Sequence, residues 1–333
     1  MKTNLKKLLY SGVTLMSLGV LAACSSTSSS TTTSSSAATS QTSVATISNN
    51  STSSDSSSST IDWSALPMTE VKLSNDGLKI TEGGTYILTG STTAGVTVET
   101  DANVRIILAG AEISSSDTAA INVINADNVE LEIKDGTTNT VKDTSNHTDT
   151  NIEGAIHVEA DLTITGNGSL TVEGNFQDGI VSTDDLVVNS GNITVTAVDD
   201  GIKAETALTI DGGTITVSES AEALEGTNIT INGGTLDVYG SDDAINAAST
   251  TSSEIFIKVT GGDLKVAVGS GDTDAFDANG DIYISGGTID VTAQSAFDFD
   301  GTAELTGGIV TVNGEQITQI TATGPGAGGH GGW

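Results

Sequence analysis

The chain has 333 residues, of which only 3% are aromatic, and 43 acidic residues against 11 basic ones give a formal net charge of −32 at pH 7. Nucleic acid and anionic membranes would repel so acidic a protein, which leaves cations as its natural partners. The single cysteine excludes a disulfide within the chain.

Residues 1–23 have the pattern of a lipoprotein signal peptide. Lys2, Lys6 and Lys7 precede an apolar stretch from Leu8 to Val20, and a lipobox follows that ends at Cys24. We predict that Cys24 is lipidated and anchors the protein to the membrane, the alternative being an ordinary signal peptide with a chance cysteine. The expected location is therefore extracellular, as a membrane-anchored lipoprotein on the surface of a bacterium, with a Gram-positive host favoured.

Residues 24–60 continue from the lipidated cysteine into a stretch dominated by Ser, Thr and Ala. Such a segment buries too little apolar surface to offset the entropy of ordering, so we predict a flexible linker. Its root-mean-square reach is roughly 30 to 35 Å. At the other end of the chain, the glycine-rich segment 319–333 is predicted to be a disordered tail.

A glycine-centred unit repeats between these segments. Around Gly213, apolar residues lie five and three positions before the glycine (Leu208, Ile210) and two and four positions after it (Ile215, Val217). The glycines that centre the seven units are Gly168, Gly191, Gly213, Gly234, Gly262, Gly287 and Gly308. Alternation of apolar and polar residues predicts strands with one buried face.

A third short apolar pair, such as Ile202 and Ala204, recurs in each unit. Three short strands in a unit of about 22 residues predict an all-β fold of the parallel β-helix type over residues 61–318. A β-sandwich or a propeller is the second choice, because propeller blades need repeats of about 40 to 45 residues.

Acidic residues recur at equivalent positions of these units. One column contains Asp178, Asp200, Glu222, Asp243 and Asp274, with Asp199 and Asp242 directly before two of its members. A second column, three residues further on, contains Glu225, Asp277 and Asp298 beside Lys203 and Asn246. Stacked at about 4.8 Å, such carboxylates repel one another, and oxygen ligands without His or Cys predict Ca²⁺ as the neutralising ion.

We therefore predict a calcium site on this edge of the fold. The predicted metal ligands are Asp178, Asp199, Asp200, Glu222, Asp242, Asp243, Asp274, Asp277 and Asp298. The alternative for each aspartate before a glycine is a hydrogen bond within its own turn.

Two segments, Ile80–Tyr86 and Gly154–Val172, together with the recurring Asp-Gly-Ile and Gly-Gly-Thr-Ile, resemble a family of bacterial carbohydrate-binding domain-containing proteins over about residues 70–315. The resemblance implies a right-handed parallel β-helix similar to that of pectate lyases. It also implies bound calcium, and binding of cellulose or polygalacturonate without demonstrated catalysis. The acids it carries over are Asp178 and Asp200, which precede Gly-Ile, and their equivalents Glu222, Asp243 and Asp274.

We predict a monomeric, non-catalytic binding module in which calcium bridges the acidic edge to an acidic or cell-wall polysaccharide. Lys203 and Tyr239 are the candidate ligand-binding residues. No catalytic residue is assigned, and the membrane is contacted only through the lipid anchor.

Three alternatives remain open from the sequence. A lyase would need a base near calcium, for which Lys203 is a candidate unless it forms an ion pair with Glu225 or Glu205. A hydrolase would need paired carboxylates such as Asp199 and Asp200, whose side chains point to opposite faces if both residues lie in a strand. An adhesin or wall spacer would use the repeats only as a rigid rod.

Overall fold

A computed structural model of the protein describes residues 61–271 and 273–323, which lie in the compact unit Ser59–Trp333. The predicted signal peptide, the lipidated Cys24, the linker and residues 324–333 of the predicted tail lie outside the described residues. In the described ranges, no helix has the length and apolar character to span a membrane.

The described chain consists of strands and one short 3₁₀ helix, Trp63–Ala65. The strands are β1 (Met68–Leu73), β2 (Leu78–Ile80), β3 (Gly84–Thr92), β4 (Val96–Glu99), β5 (Val104–Ser114), β6 (Ile121–Asn125), β7 (Asn128–Ile133), β8 (Thr138–Lys142), β9 (Gly154–Val158), β10 (Asp161–Gly166), β11 (Ser169–Glu173), β12 (Asp178–Ser182), β13 (Leu186–Val188), β14 (Asn192–Thr196), β15 (Asp200–Ile210), β16 (Thr214–Glu219), β17 (Glu222–Ile231), β18 (Thr235–Gly240), β19 (Ile245–Ala247), β20 (Phe256–Val259), β21 (Asp263–Val268), β22 (Asp274–Ala278), β23 (Asp281–Thr292), β24 (Ser295–Phe299), β25 (Ala303–Val312) and β26 (Glu315–Ile317).

Strand pairing follows the columns of apolar residues. Leu186 of β13 pairs with Leu208 of β15, Leu208 with Ile229 of β17, Ile229 with Ile257 of β20, and Ile257 with Ile282 of β23, all in parallel. These side chains are buried and belong to one continuous core of Ile, Val, Leu and Ala. Burial of each large aliphatic side chain contributes about 1.5 to 3 kcal/mol, which explains how a chain with few aromatic residues folds.

The hydrogen-bonded pairings close into a ring. From β5 they run through β7, β10, β13, β15, β17 and β20 to β23, and they return through β21, β18, β16, β14, β11 and β8. The 14 strands of this ring form a closed parallel β-barrel, and the remaining strands lie outside it.

This closure corrects the fold class predicted from the sequence, which was a right-handed parallel β-helix with three short strands per turn. The all-β class and the parallel pairing hold, but the strands are not uniformly short. β5, β15, β17, β23 and β25 have 10 to 12 residues and continue past positions where separate strands were expected. Because β5 and β23 each pair along both halves, with different partners, they join the two arcs of the ring.

The C-terminal end of the described chain covers the last strands. β26 pairs with β25 in the antiparallel direction, unlike the other pairings among the described strands. Further on, the amide of Thr323 donates to the carbonyl of Phe297 (2.9 Å), and Ile320 is buried. These contacts place residues 319–323 against β24 and cover edge groups that would otherwise be open to pairing.

Candidate functional site

The first predicted column of acids lies where strands begin on one side of the barrel. Asp200 at the start of β15 pairs with Glu222 at the start of β17. The amide of Asp200 donates to Oδ1 of Asp178 (3.0 Å), and in the same way the amide of Asp274 donates to Oδ1 of Asp243 (2.6 Å). Each of these carboxylates thus bonds to the backbone one repeat further along, which stacks the column members on one another.

The glycines that follow Asp178 and Asp200 let these repeats approach closely. A Cβ on Gly179 would lie 2.6 Å from the carbonyl oxygen of Gly201, and a Cβ on Gly201 would lie 2.6 Å from the carbonyl oxygen of Ala223. Both distances are too short for a methyl group. Close packing therefore favours glycine after Asp178 and Asp200, whereas alanine follows Glu222, Asp243 and Asp274.

The second column places a basic residue among the acids. Lys203 of β15 pairs with Glu225 of β17, Glu225 with Asn246 of β19, and Asn246 with Asp277 of β22. The Lys203 ammonium lies 2.9 Å from Oδ2 of Asp200 and 3.0 Å from Oε2 of Glu225. The ion pair between Lys203 and Glu225, one of the alternatives raised from the sequence, is therefore present.

Four acids at one end of the columns form what we call the acidic cluster: Asp178, Asp199, Asp200 and Glu222. Carboxylate oxygens of Asp199, Asp200 and Glu222 all lie within 4.8 Å of one another. Asp178 and Asp200 are each only 1% exposed. Oδ2 of Asp178 and Oδ1 of Asp200 have no hydrogen-bond partner among the described residues.

The donor set of the acidic cluster fits calcium. Hard carboxylate oxygens from an exposed, a half-buried and a buried residue lie within 4.8 Å of one another. Buried oxygens without a partner are costly unless a cation or a proton satisfies them. Asp199, Asp200 and Glu222 are therefore the residues that could hold the ion.

Burial raises the pKa values of Asp178, Asp200 and Glu225. The pKa of Asp178 rises to about 7 through burial and through the charges of Glu153 and Asp199, against the opposing effect of the Asp200 amide. Burial likewise raises the pKa values of Asp200 and Glu225 to about 8. In the absence of a cation, part of this column therefore retains protons at neutral pH.

The pKa of Lys203 is raised even though its side chain is largely buried. Burial alone lowers the pKa of an ammonium group, but the charges of Asp200 and Glu225 outweigh this effect and raise the pKa of Lys203 above its usual range. Lys203 is consequently a permanent positive charge within the columns.

The other predicted ligands lie further along the columns. Asp277 pairs with Asp298 of β24, and burial together with the charges of Asp243 and Asp274 raises the pKa of Asp277 to about 7. The hydroxyl of Ser295 donates to Oδ1 of Asp274. Asp242 is exposed, and its charge contributes to the raised pKa of Glu222.

A groove of about 370 Å³ opens beside Lys203 and Glu225, and we call it the Lys203 groove. Its outer wall includes Ser249–Thr251, where Oγ of Ser249 accepts hydrogen bonds from the amides of Thr251 (3.2 Å) and Ser252 (3.1 Å). The sequence predicted that this polar insert is a loop but gave no indication that it lines a groove. The available signal was the spacing of 28 residues between the flanking repeat glycines.

Tyr239 does not join this groove. It lies on β18 with 37% of its surface exposed, and its phenol oxygen lies beside Gly269. The predicted role of Tyr239 in ligand binding therefore has no geometric link to Lys203 in the described structure.

Two features of the site region had no signal in the sequence pattern. Glu153 is half-buried, and burial together with the charges of Glu205 and Glu225 raises its pKa. Asp143 and His147 form a buried pair (2.9 Å) on which the ring of Phe176 stacks, with ring centroids 4.4 Å apart. Both lie outside the repeating columns, so only the folded chain brings them to their partners.

Comparisons with known proteins agree on one family. Residues 74–316 match the family model described as "Carbohydrate-binding domain-containing protein". A relative from Acetivibrio thermocellus with the same description is 33% identical over 135 residues, which cover 38% of this chain and 47% of the relative. The match thus spans about half the length of that relative.

A solved structure has a similar fold. It is described as the polysaccharide lyase-like protein from C. thermocellum, as a gadolinium derivative. The TM-score is 0.51 at 24% identity, and the similarity covers 78% of this chain and 97% of the other. The similarity at this level concerns the fold alone.

Proposed function

We propose, since the chain belongs to the family of carbohydrate-binding domain-containing proteins, that the acidic cluster holds calcium and that the Lys203 groove binds a polysaccharide. The observation that carries this proposal is the convergence of Asp199, Asp200 and Glu222 within 4.8 Å. Lys203 connects the two parts, because it contacts Asp200 and also lines the groove.

Calcium supplies an attraction for an acidic polysaccharide that the acidic chain itself lacks. It accepts six to eight oxygen ligands, so three carboxylates leave positions for hydroxyl or carboxylate oxygens of a sugar. Without a cation, the acids of this surface would repel an acidic polysaccharide. Calcium-dependent recognition of an acidic or cell-wall glycan is therefore the binding mode that this set of residues supports best.

Binding is favoured over catalysis by the state of Lys203. A lyase base must lose its proton to act, whereas Asp200 and Glu225 hold the Lys203 ammonium at 2.9 and 3.0 Å. A hydrolase pair of Asp199 and Asp200 is disfavoured as well, because Asp199 is exposed and Asp200 is buried.

The cellular part of the proposal rests on the N-terminal sequence. Lipidation of Cys24, followed by the Ser- and Thr-rich linker, would hold the binding domain on the outside of a bacterial cell. Metabolic labelling with a fatty acid tests this directly. The wild-type protein should incorporate the label and remain with the membrane fraction, whereas Cys24→Ser should do neither.

The calcium site is tested by calorimetric titration of the metal-free protein. Glu222→Gln keeps the side-chain shape but removes a ligand charge, and we expect calcium affinity to fall about tenfold or more. Asp237→Asn is the matched control, because Asp237 is an exposed acid that contacts Lys265 outside the cluster. Wild-type calcium affinity in Glu222→Gln would show that the ion is not held there.

The glycan part has its own readout. Binding to immobilised polygalacturonate and cellulose should be measured in calcium and in chelator, with wild-type protein and Glu222→Gln. Retention on polygalacturonate that depends on both calcium and Glu222 supports the proposal. Absence of retention in calcium would instead support the adhesin or spacer alternative.

A further inference from the structure

A second and larger cavity, of about 670 Å³, lies on the outer face of β20, β23 and β25, and we call it the Tyr283 cleft. Three of its residues form one row across these parallel strands. Lys258 of β20 pairs with Tyr283 of β23, and Tyr283 pairs with Glu304 of β25. Neighbouring strands are about 4.8 Å apart, so this row forms a broad floor rather than a narrow pore.

The phenol ring of Tyr283 is held in one orientation. Its hydroxyl donates to Oδ2 of Asp281 (2.8 Å), and Oδ1 of Asp281 accepts from the amide of Thr302 (2.6 Å). A Cβ on Gly301 would lie against the same carboxylate and 2.8 Å from the carbonyl oxygen of Gly280, so glycine at position 301 leaves room for Asp281. The ring therefore meets a ligand without first having to be ordered.

The side chains around Tyr283 have the chemistry of an uncharged sugar site. Phe256 provides a second half-buried aromatic ring in the cleft. The acids at the cleft are Glu254, Asp281, Asp300 and Glu304, against the one lysine of its lining, Lys258. Carboxylates accept hydrogen bonds from sugar hydroxyls and repel sugar carboxylates, while aromatic rings pack against the apolar C–H faces of pyranose rings.

The Tyr283 cleft and the Lys203 groove share a lining residue. Asn279 lines both cavities, and its backbone N–H donates to the carbonyl oxygen of Ala247 (2.9 Å). The insert after β19 also serves both, since Ser249–Thr251 line the groove and Ser253–Ile255 line the cleft. Oγ of Ser252 donates to the carbonyl of Glu254 (3.0 Å), a hydrogen bond within the insert.

We infer that the Tyr283 cleft is a second glycan subsite that binds uncharged pyranose units without calcium and joins the Lys203 groove past Asn279. The inference rests on the proposed function for the class of ligand but not for the ion. It assigns the two ends of one polysaccharide site to different chemistry: calcium and carboxylates at the acidic cluster, aromatic packing and hydroxyl hydrogen bonds at Tyr283.

The test is calorimetric titration of the full-length protein with uncharged hexasaccharides of glucose and of mannose and with a galacturonate hexasaccharide, each in calcium and in EGTA. We expect at least one uncharged hexasaccharide to bind equally well in both buffers. Tyr283→Ala should weaken that binding about tenfold or more, and Tyr283→Phe should weaken it much less because the ring remains. Tyr86→Ala, a matched change on β3, should leave it unchanged.

Three results would overturn the inference: wild-type affinity of Tyr283→Ala for the uncharged sugars, loss of their binding in EGTA, or no binding of any uncharged hexasaccharide. None of these would affect calcium uptake by the acidic cluster. Conversely, if Glu222→Gln binds calcium normally while Tyr283→Ala loses the uncharged sugar, the proposed function fails and the Tyr283 cleft stands.

Discussion

Lys203 on β15 lies opposite Glu225 on β17, and its ammonium bridges the Glu225 carboxylate at 3.0 Å and the Asp200 carboxylate at 2.9 Å. One positive charge thus ties the two acidic columns together. It also reduces the number of carboxylates that are left for a metal ion, because Glu225 and one oxygen of Asp200 already have a partner.

Removal of this charge should destabilise the protein. Lys203→Met leaves two largely buried carboxyl groups without their counter-ion, and we expect the free energy of unfolding at pH 9, where both groups are ionised, to fall by about 3 to 5 kcal/mol in chelator. The loss should be smaller at pH 5, where protonation relieves the carboxyl groups. Urea denaturation followed by circular dichroism measures both values.

The control for this change is Lys265→Met. Lys265 lies 3.8 Å from Asp237 and both side chains are largely exposed, so its removal should cost no more than about 1 kcal/mol. Equal losses in the two variants would mean that the Lys203 bridge contributes no more than a surface ion pair.

Asp178 and Asp200 should make the metal-free protein less stable as the pH rises. Their pKa values, about 7 and about 8 in the folded protein, exceed that of an unfolded aspartate. The folded state therefore binds more protons than the unfolded state, and its advantage is fully present below about pH 4 and lost as the pH rises through about 8. We expect a loss of about 2 to 4 kcal/mol between pH 5 and 9, measured by urea denaturation in EGTA.

The isosteric substitution Asp178→Asn distinguishes ionisation of Asp178 from general charge repulsion as the cause of this pH dependence. Asp178→Asn can still accept the hydrogen bond from the Asp200 amide but has no proton to lose, so it should stabilise the metal-free protein at pH 8 by about 1 to 2 kcal/mol. This difference should shrink as the pH falls and vanish below about pH 4. An unchanged pH profile in Asp178→Asn would contradict the assignment.

The columns themselves follow from the sequence, because residues that occupy equivalent positions of a repeat pair when the repeats stack. Asp200 and Glu222, or Lys203 and Glu225, are matched in this way by the repeat alone. The division of each repeat into strands does not follow from the sequence. Whether neighbouring apolar pairs form separate strands or one long strand such as β23 depends on the backbone at the corner, which a pattern of side chains does not specify.

The cavities were equally inaccessible to sequence reasoning. The Lys203 groove and the Tyr283 cleft are bounded by the insert after β19, whose serines and threonines resemble those of any polar loop. Tyr283 and Glu304 lie 21 positions apart in a region where every second residue faces outward. Their role depends on the insert that lies beside them. The insert interrupts the repeat, so the repeat pattern does not predict where the insert lies in the folded chain.

Calcium binding should release protons. The carboxyl groups of the acidic cluster must be ionised to bind the ion, yet burial keeps the pKa of Asp200 at about 8 and raises that of Glu222. At pH 7 we expect about one proton to be released per ion, so the calorimetric enthalpy should vary with the ionisation enthalpy of the buffer. The affinity should rise between about pH 6 and 8.5 and then level off. A binding enthalpy independent of the buffer at pH 7 would show that the acids are already ionised.

The glycine after Asp200 couples the packing of the barrel to the proposed metal site. In Gly201→Ala, the new methyl group would lie 2.6 Å from the carbonyl oxygen of Ala223 and 2.7 Å from Cγ1 of Val217, so the backbone that carries Asp200 must move. We expect a loss of stability of about 1 to 3 kcal/mol together with weaker calcium binding. Gly226→Ala is the matched control, because its closest contact would be 3.1 Å and a small adjustment relieves it. If Gly201→Ala unfolds at the same urea concentration as Gly226→Ala and binds calcium normally, close stacking at Gly201 does not position the acidic cluster.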